Sequence, residues 1–387
     1  MVTTSELRPS KPTAAIWCLV AGGGTAGHII PGLAVAQALV EMGHTPESIH
    51  FLGASRGAEG DMVPAAGFEV TLLPGRGLNG RKLNFANLKA AWGIVRAVIS
   101  GIRFVGRIRP KVILALGGFA AVPGVVGGIV WRVPIIVTEQ NAKASLANRL
   151  AGRFAKRCAL PFEGTDLPNG VVTGNPIRHE IVKAAEVADD PTQRRSLRSE
   201  FGVGDDDILV AVQSGSLGAR SVNRAVIELA ERWRSRSDVV IYHVIGRRDW
   251  QSEHARVPQL DDTGLRYRQV EFEEQTPKLM AAADVFVGRA GASTVAELAV
   301  VGLPSVLVPL PIAPRDAQRA NAMVLEAEAA AVILDDHNVS GESLESALNH
   351  FLLDENHQKA ARVGARRVGH GDAAAQVARL VEEYARD

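Results

Sequence analysis

Short apolar runs, several of them closed by glycine, recur along this chain, and between them lie longer stretches whose apolar positions return every three or four residues. The runs fit strands buried on both faces; the stretches fit helices with one buried side. Strands are expected at 15–21 (AIWCLVA), 48–53 (SIHFLG), 69–73 (EVTLL), 112–116 (VILAL) and 134–138 (PIIVT), with helical patterns such as 30–42 and 85–107 between them. That alternation belongs to a parallel sheet covered by helices. It fades near 158–174 and then begins again. ILVAVQSG (208–215) reads as a strand, 219–235 as a helix, and VVIYHVIG (239–246) as a strand. ADVFVGRAGAST (283–294) reads as strand, turn and helix start, PSVLVPLP (304–311) as a strand, and 342–353 and 373–386 as helices.

The expected fold class is therefore α/β, with two Rossmann-like parallel-sheet domains. Residues 1–13 (MVTTSELRPSKPT) read as a loose polar tail, 14–172 as the first domain, 173–368 as the second, and 369–387 as a terminal helix returning to the first. The link falls in a stretch rich in Gly and Pro, 164–178. One segment, VILALGGFAAVPGVVGGIVW (112–131), has no charge along twenty residues, but its five glycines and Pro123 suit a strand, a turn and a short buried helix better than a membrane span.

Of the 387 residues, 47% are hydrophobic, enough for large cores. The two cysteines, Cys18 and Cys158, lack CxxC spacing, which argues against a disulfide framework and a cysteine zinc site and fits a reducing compartment. No charged region leads directly into an apolar stretch at the start, so no secretory signal is expected. The net charge of +1 hides an asymmetry. Residues 1–175 carry 18 Lys and Arg against 9 Asp and Glu; the remainder carries 25 against 33. Ten bases and no acid fall between Glu69 and Glu139, which implies an anionic partner for the first half.

The first strand runs into Gly22-x-Gly24-x-x-Gly27, followed by a helix whose N-terminal N–H groups can hold an anion. A nicotinamide site would want an acid at the end of the second strand, where Gly53 stands instead; Ser55 and Arg56 leave an NADP-dependent oxidoreductase as the alternative reading. His28 follows the last glycine and is a candidate base. In the second half, RAGASTVAEL (289–298) sets a small-residue turn before a helix. The N–H groups of Ala292, Ser293 and Thr294 can carry a nucleotide diphosphate there, and Glu297 can accept both ribose hydroxyls.

These pieces resemble the donor site of two-domain GT-B glycosyltransferases, and most closely the MurG family of N-acetylglucosaminyltransferases. GGGTAGHIIPGLAVAQAL, LALGGFAAVPG (114–124), TEQNAKASLANRLAG (138–152), TGNPIR (173–178), SGSLGARSVN (214–223), RAGASTVAEL and AQRANA (317–322) follow the family's order over roughly 15–335. The resemblance implies two Rossmann-like domains facing across a cleft. It also implies transfer of GlcNAc from UDP-GlcNAc, with inversion, to the C4 hydroxyl of undecaprenyl-diphosphoryl-MurNAc-pentapeptide, with no cofactor and no metal. Carried over motif by motif, the donor contacts are Thr25, Ala26, Gly27, Asn141, Arg178, Ser216, Ala292, Ser293, Thr294, Glu297 and Gln318. Arg178 and Ser216 would face the diphosphate, and Gln318 the sugar hydroxyls. The lipid diphosphate would lie against Gly23, Gly24, Gly117 and Gly118. His28 is the expected base and Glu139 the second choice. A third reading is a nucleotide-sugar binding protein without catalysis.

Several positions depart from the family pattern: Thr138 stands where it has His, Leu217 where it has Gln, Ala317 where Gln or His often occurs, and Ile30 where Asn or Phe often follows. A base at 138 is thereby ruled out. Around 76–98, Leu83, Phe85, Leu88 and Trp92 with Arg81, Lys82 and Lys89 suit an anionic bilayer surface, and the resemblance implies a peripheral enzyme on the cytoplasmic face of the cell membrane. Aromatic stacking motifs of nucleic-acid binders are missing, so no nucleic acid partner is expected.

Overall fold

The computed structural model describes residues 15–55, 57–73, 85–215, 218–261 and 263–387, with the side chains of Ala26 and 85–92 excepted. The polar tail, Arg56, Ser216, Leu217 and most of the 76–98 side chains lie outside the described residues. The chain divides into two compact units. The first holds residues up to Gln140, then Ala144–Pro176 and Asp372–Asp387; the second holds Asn141–Lys143 and Ile177–Gly371.

In the first unit, β1 (Cys18–Gly22), β2 (Ile49–Ala54), β3 (Glu69–Leu73), β4 (Val112–Gly117), β5 (Ile135–Thr138), β6 (Arg157–Leu160) and β7 (Gly170–Val172) form one parallel sheet. Its order is β3-β2-β1-β4-β5-β6-β7. Both faces are covered, and side chains alternate between two cores as the strand period demands. Cys18, Val20, Val112, Leu114 and Leu116 meet Val35 and Leu39 of helix Ala26–Glu41. Leu19, Ala21, Ile113 and Ala115 meet Val105 of helix Phe85–Ile108, Val125 of helix Ala121–Trp131 and Ala151 of helix Leu146–Gly152. The uncharged stretch 112–131 is thus β4 plus a short helix. Gly124 lets that helix approach the sheet, since a Cβ there would lie 2.6 Å from Ala21 Cβ. Among the described residues no helix is long and apolar enough to cross a membrane.

The second unit repeats the winding. Its strands β8 (Ile208–Gln213), β9 (Val239–Val244), β10 (Arg266–Val270), β11 (Val285–Gly288), β12 (Ser305–Leu307) and β13 (Ala331–Ile333) are all parallel, in the order β10-β9-β8-β11-β12-β13. In each sheet the order reverses beside the unit's first strand, between β1 and β4 and between β8 and β11. Open α/β sheets bind ligands at the carboxyl ends of strands at such a reversal. The sequence pattern missed β6, β7, β10 and β13, all of which lie at or next to a sheet edge. The first unit's main span runs to Pro176, because Thr173 and Gly174 donate their N–H groups to Leu160 O.

Candidate active site

At the reversal in the first unit, two glycine turns come together. Gly22, Gly23 and Gly24 follow β1 with φ of +151°, +140° and +96°, and Gly117 and Gly118 follow β4 with φ of +92° and +70°. The turns nearly touch, for a Cβ on Gly118 would sit 2.9 Å from Gly23 O and 3.5 Å from the His28 ring. The Gly24 N–H already has a partner: it donates to Glu59 Oε1 at 2.7 Å. Glu59 is buried, and its carboxylate also takes the Ala54 N–H at 3.3 Å. An internal anion therefore sits on part of this loop. Thr25 caps the following helix in extended backbone without a side-chain bond, and Gly27 lies in the helix's first turn.

His28 is half-buried with Nδ1 2.8 Å from Gln140 Oε1. Gln140 donates its Nε2 to Thr138 O at 3.1 Å, which fixes the amide with its oxygen toward the ring. Nδ1 must then carry the proton, and Nε2 keeps its lone pair. Glu139 is fully buried and works locally. Its Oε1 accepts from Gln140 N at 3.0 Å, and its Oε2 accepts from Ser145 N at 2.8 Å and Asn148 Nδ2 at 2.9 Å.

At the reversal in the second unit, the loop after β8 holds Gly215 and Gly218 at φ of +81° and +84°. After β11, helix Ala292–Val301 starts at Gly291 with no side-chain cap. Its first internal bond runs from Val295 N to Gly291 O, so the N–H groups of Ala292, Ser293 and Thr294 lack helical partners. The Ser293 hydroxyl is buried and unbonded among the described residues. Those groups and the helix dipole make an anion seat. One turn on, buried Glu297 meets Arg178 Nη2 at 3.2 Å. Burial pushes the Glu297 carboxyl above its ordinary range, and the Arg178 charge pulls it partly back. Gln318 accepts the Leu310 N–H at 2.9 Å, which leaves Nε2 as its donor end. Asn141 Oδ1 accepts from Asn321 Nδ2 at 3.2 Å, and Asn321 Oδ1 accepts from Ala142 N at 2.8 Å.

The structure thus gathers His28, Gly23, Gly24, Gly117 and Gly118 in one unit, and Asn141, Arg178, Ala292, Ser293, Thr294, Glu297 and Gln318 in the other. Sequence reading missed Glu59, Gln140 and Asn321, whose roles depend on contacts between distant residues. Among the described residues no group of three or more His, Cys, Asp or Glu side chains is placed to hold a metal.

Residues 18–160 match the glycosyltransferase family 28 N-terminal domain, and 209–377 match its C-terminal domain. A relative from Alkalilimnicola ehrlichii, named UDP-N-acetylglucosamine–N-acetylmuramyl-(pentapeptide) pyrophosphoryl-undecaprenol N-acetylglucosamine transferase, is 37% identical over 95% of this chain and 99% of its own. One of the same name from Desulforudis audaxviator is 32% identical over 95% and 98%. Among solved structures, MurG of Acinetobacter baumannii superposes with a TM-score of 0.74 at 26% identity, covering 95% of this chain and 99% of that one. A Neisseria meningitidis UDP-GlcNAc 2-epimerase reaches 0.63 at 13% identity, a likeness of fold alone. These matches do not support the oxidoreductase alternative. The chain belongs to glycosyltransferase family 28 and, within it, to the MurG family of N-acetylglucosaminyltransferases.

Proposed function

We propose that this chain transfers GlcNAc from UDP-GlcNAc to the C4 hydroxyl of an undecaprenyl-diphosphoryl-MurNAc-pentapeptide. The acceptor oxygen attacks C1 of GlcNAc and forms the new glycosidic bond with inversion. The bond from C1 to the β-phosphate oxygen breaks, and its electron pair leaves with UDP. The acceptor's hydroxyl proton passes to His28 Nε2. The observation that carries this assignment is the Gln140–His28 hydrogen bond, which leaves Nε2 as a proton acceptor. Glu139 has both oxygens engaged with its own loop, so we give it a positioning role and not the base's.

The charge that develops on the departing diphosphate is met by the N–H groups of Ala292, Ser293 and Thr294 and by Arg178. Thr25, Ala26, Gly27, Asn141 and Ser216 complete the donor contacts, Glu297 takes the ribose, and Gln318 takes the sugar with its amide nitrogen. The acceptor diphosphate lies along Gly23, Gly24, Gly117 and Gly118, where one amide is shared with Glu59. The enzyme works as a peripheral protein on the cytoplasmic face of the membrane. The 76–98 segment carries the contact there, and helix Leu146–Gly152 supports the reading with Leu146 and Leu150 exposed, followed by exposed Phe154. Residues 144–162 hold four bases and no acid.

Radiolabelled GlcNAc supplied as UDP-GlcNAc is expected to appear on a lipid-linked muramoyl acceptor. His28→Ala is expected to lower kcat by about 10²- to 10⁴-fold with UDP affinity unchanged, and Gln140→Leu by a smaller factor. No UDP affinity in the intact chain would overturn the reading; full kcat in His28→Ala would overturn the base.

A further inference from the structure

In the second unit, Arg289 directly follows β11, two residues before the Gly291 helix start, and its guanidinium is mostly buried. Nη1 donates to Val308 O at 2.9 Å, just past β12, and meets Asp336 Oδ1 at 2.6 Å, just past β13. Nη2 donates to Ser221 Oγ at 3.2 Å, in the first turn of the helix that follows β8. Ser221 in turn donates its hydroxyl proton to Asp336 Oδ1 at 2.5 Å. One side chain therefore gathers the carboxyl ends of four neighbouring strands, β8, β11, β12 and β13. A planar guanidinium with fixed N–H directions suits such a junction, and a carboxylate opposite it holds its orientation.

We infer that Asp336, seconded by Ser221, is a positioning residue for the donor: it locks Arg289 and so presets the 290–294 turn that receives the diphosphate. This rests on the reading that UDP-GlcNAc binds at that turn. The lock matters because backbone amides bind an anion well only when they already point at it, and a turn that must first be ordered spends binding energy on that ordering. Asp336 touches no substrate in this scheme; its effect passes through Arg289.

Charge alone makes the opposite forecast. Removing a carboxylate beside an anion seat would raise the local positive potential and tighten binding. Two substitutions separate the effects, because Asn keeps an acceptor oxygen at the Oδ1 position and Ala does not. Titration of UDP into the intact chain is expected to show Asp336→Ala weakened about tenfold, Asp336→Asn close to wild type, and Ser221→Ala between them. KM for UDP-GlcNAc is expected to follow the same order with kcat changed less than twofold. Tighter UDP binding in both Asp336 variants, or wild-type binding in Asp336→Ala with an unchanged melting temperature, would overturn the lock. If Asp336→Ala does not fold, Ser221→Ala decides: unchanged UDP affinity there refutes the inference. Wild-type protein that fails to bind UDP would refute the donor-site reading itself.

Discussion

His243 lies wholly buried in β9, and its two ring nitrogens are spoken for. Nε2 is 3.0 Å from Asn223 Oδ1, and Asn223 Nδ2 donates to Ile245 O, so the ring must donate through Nε2. Nδ1, 2.5 Å from the Tyr267 oxygen, then accepts the Tyr267 hydroxyl proton. Burial pushes the imidazole pKa down from 6.5 to about 3. The folded chain therefore binds fewer protons here than the unfolded chain, and the stability this group contributes is full above pH 6.5 and is lost as pH falls toward about 3. Urea unfolding of wild type is expected to show this group's share as a slope approaching ~1.4 kcal/mol per pH unit between those limits, absent from His243→Gln. Equal slopes in the two proteins would exclude His243 as the source. The same lesson in long-range contact explains what could be read of the candidate site. His28 was visible because it adjoins Gly22-x-Gly24-x-x-Gly27, and Glu297 because it follows a small-residue turn. Gln140 reaches His28 across 112 residues and Glu59 reaches Gly24 across 35, and no local pattern announces either.

Elements with both faces buried were legible from their runs of apolar residues: β1, β4, β8 and β11 lie where those runs stand. Of the edge strands only β3 was read, at 69–73; β7, β10 and β13 were not, because short length or an exposed face removes the pattern. β10 reads RYRQV, and β7 is three residues of which two are exposed. Helix Leu146–Gly152 shows the converse, an exposed surface more apolar than a solvated helix needs. Leu146, Leu150 and the following Phe154 recur at four-residue spacing and are 67%, 52% and 60% exposed, with Arg149 and Arg153 interleaved. Such a face suits the headgroup boundary of an anionic bilayer. Leu150→Asp with Phe154→Asp is expected to lower cosedimentation with phosphatidylglycerol vesicles several-fold while leaving the melting temperature within about 2 °C, since exposed side chains contribute little to folding. Wild-type cosedimentation by the double variant would exclude this helix as a bilayer contact.

At the scale of the whole molecule, chain order and domain order part company in one place. After the second unit is complete, the chain returns at Asp372 to the first. Helix Ala373–Tyr384 lays fully buried Val377, Ala378 and Val381 into the core that also holds Cys18, Leu39 and Leu114. Glu382 meets His44 Nε2 at 2.9 Å, and Arg386 donates to Pro110 O at 3.2 Å. The sheet face under this helix needs it, because β1 and β4 carry apolar side chains on both sides and an uncovered face would meet water. Each buried valine contributes about 1.5–3 kcal/mol on burial, comparable with a sizeable share of a domain's net stability. Ending the chain after Gly371 is therefore expected to lower the first unit's thermal transition by 10 °C or more, or to abolish it, while the second unit, complete without this helix, keeps its own. Differential scanning calorimetry reads the two separately, and a transition raised by added UDP identifies the unit that binds it. A truncated chain that melts with the first unit's transition unmoved would mean that the helix is dispensable to that core, and the buried valines would then count for far less than their area implies.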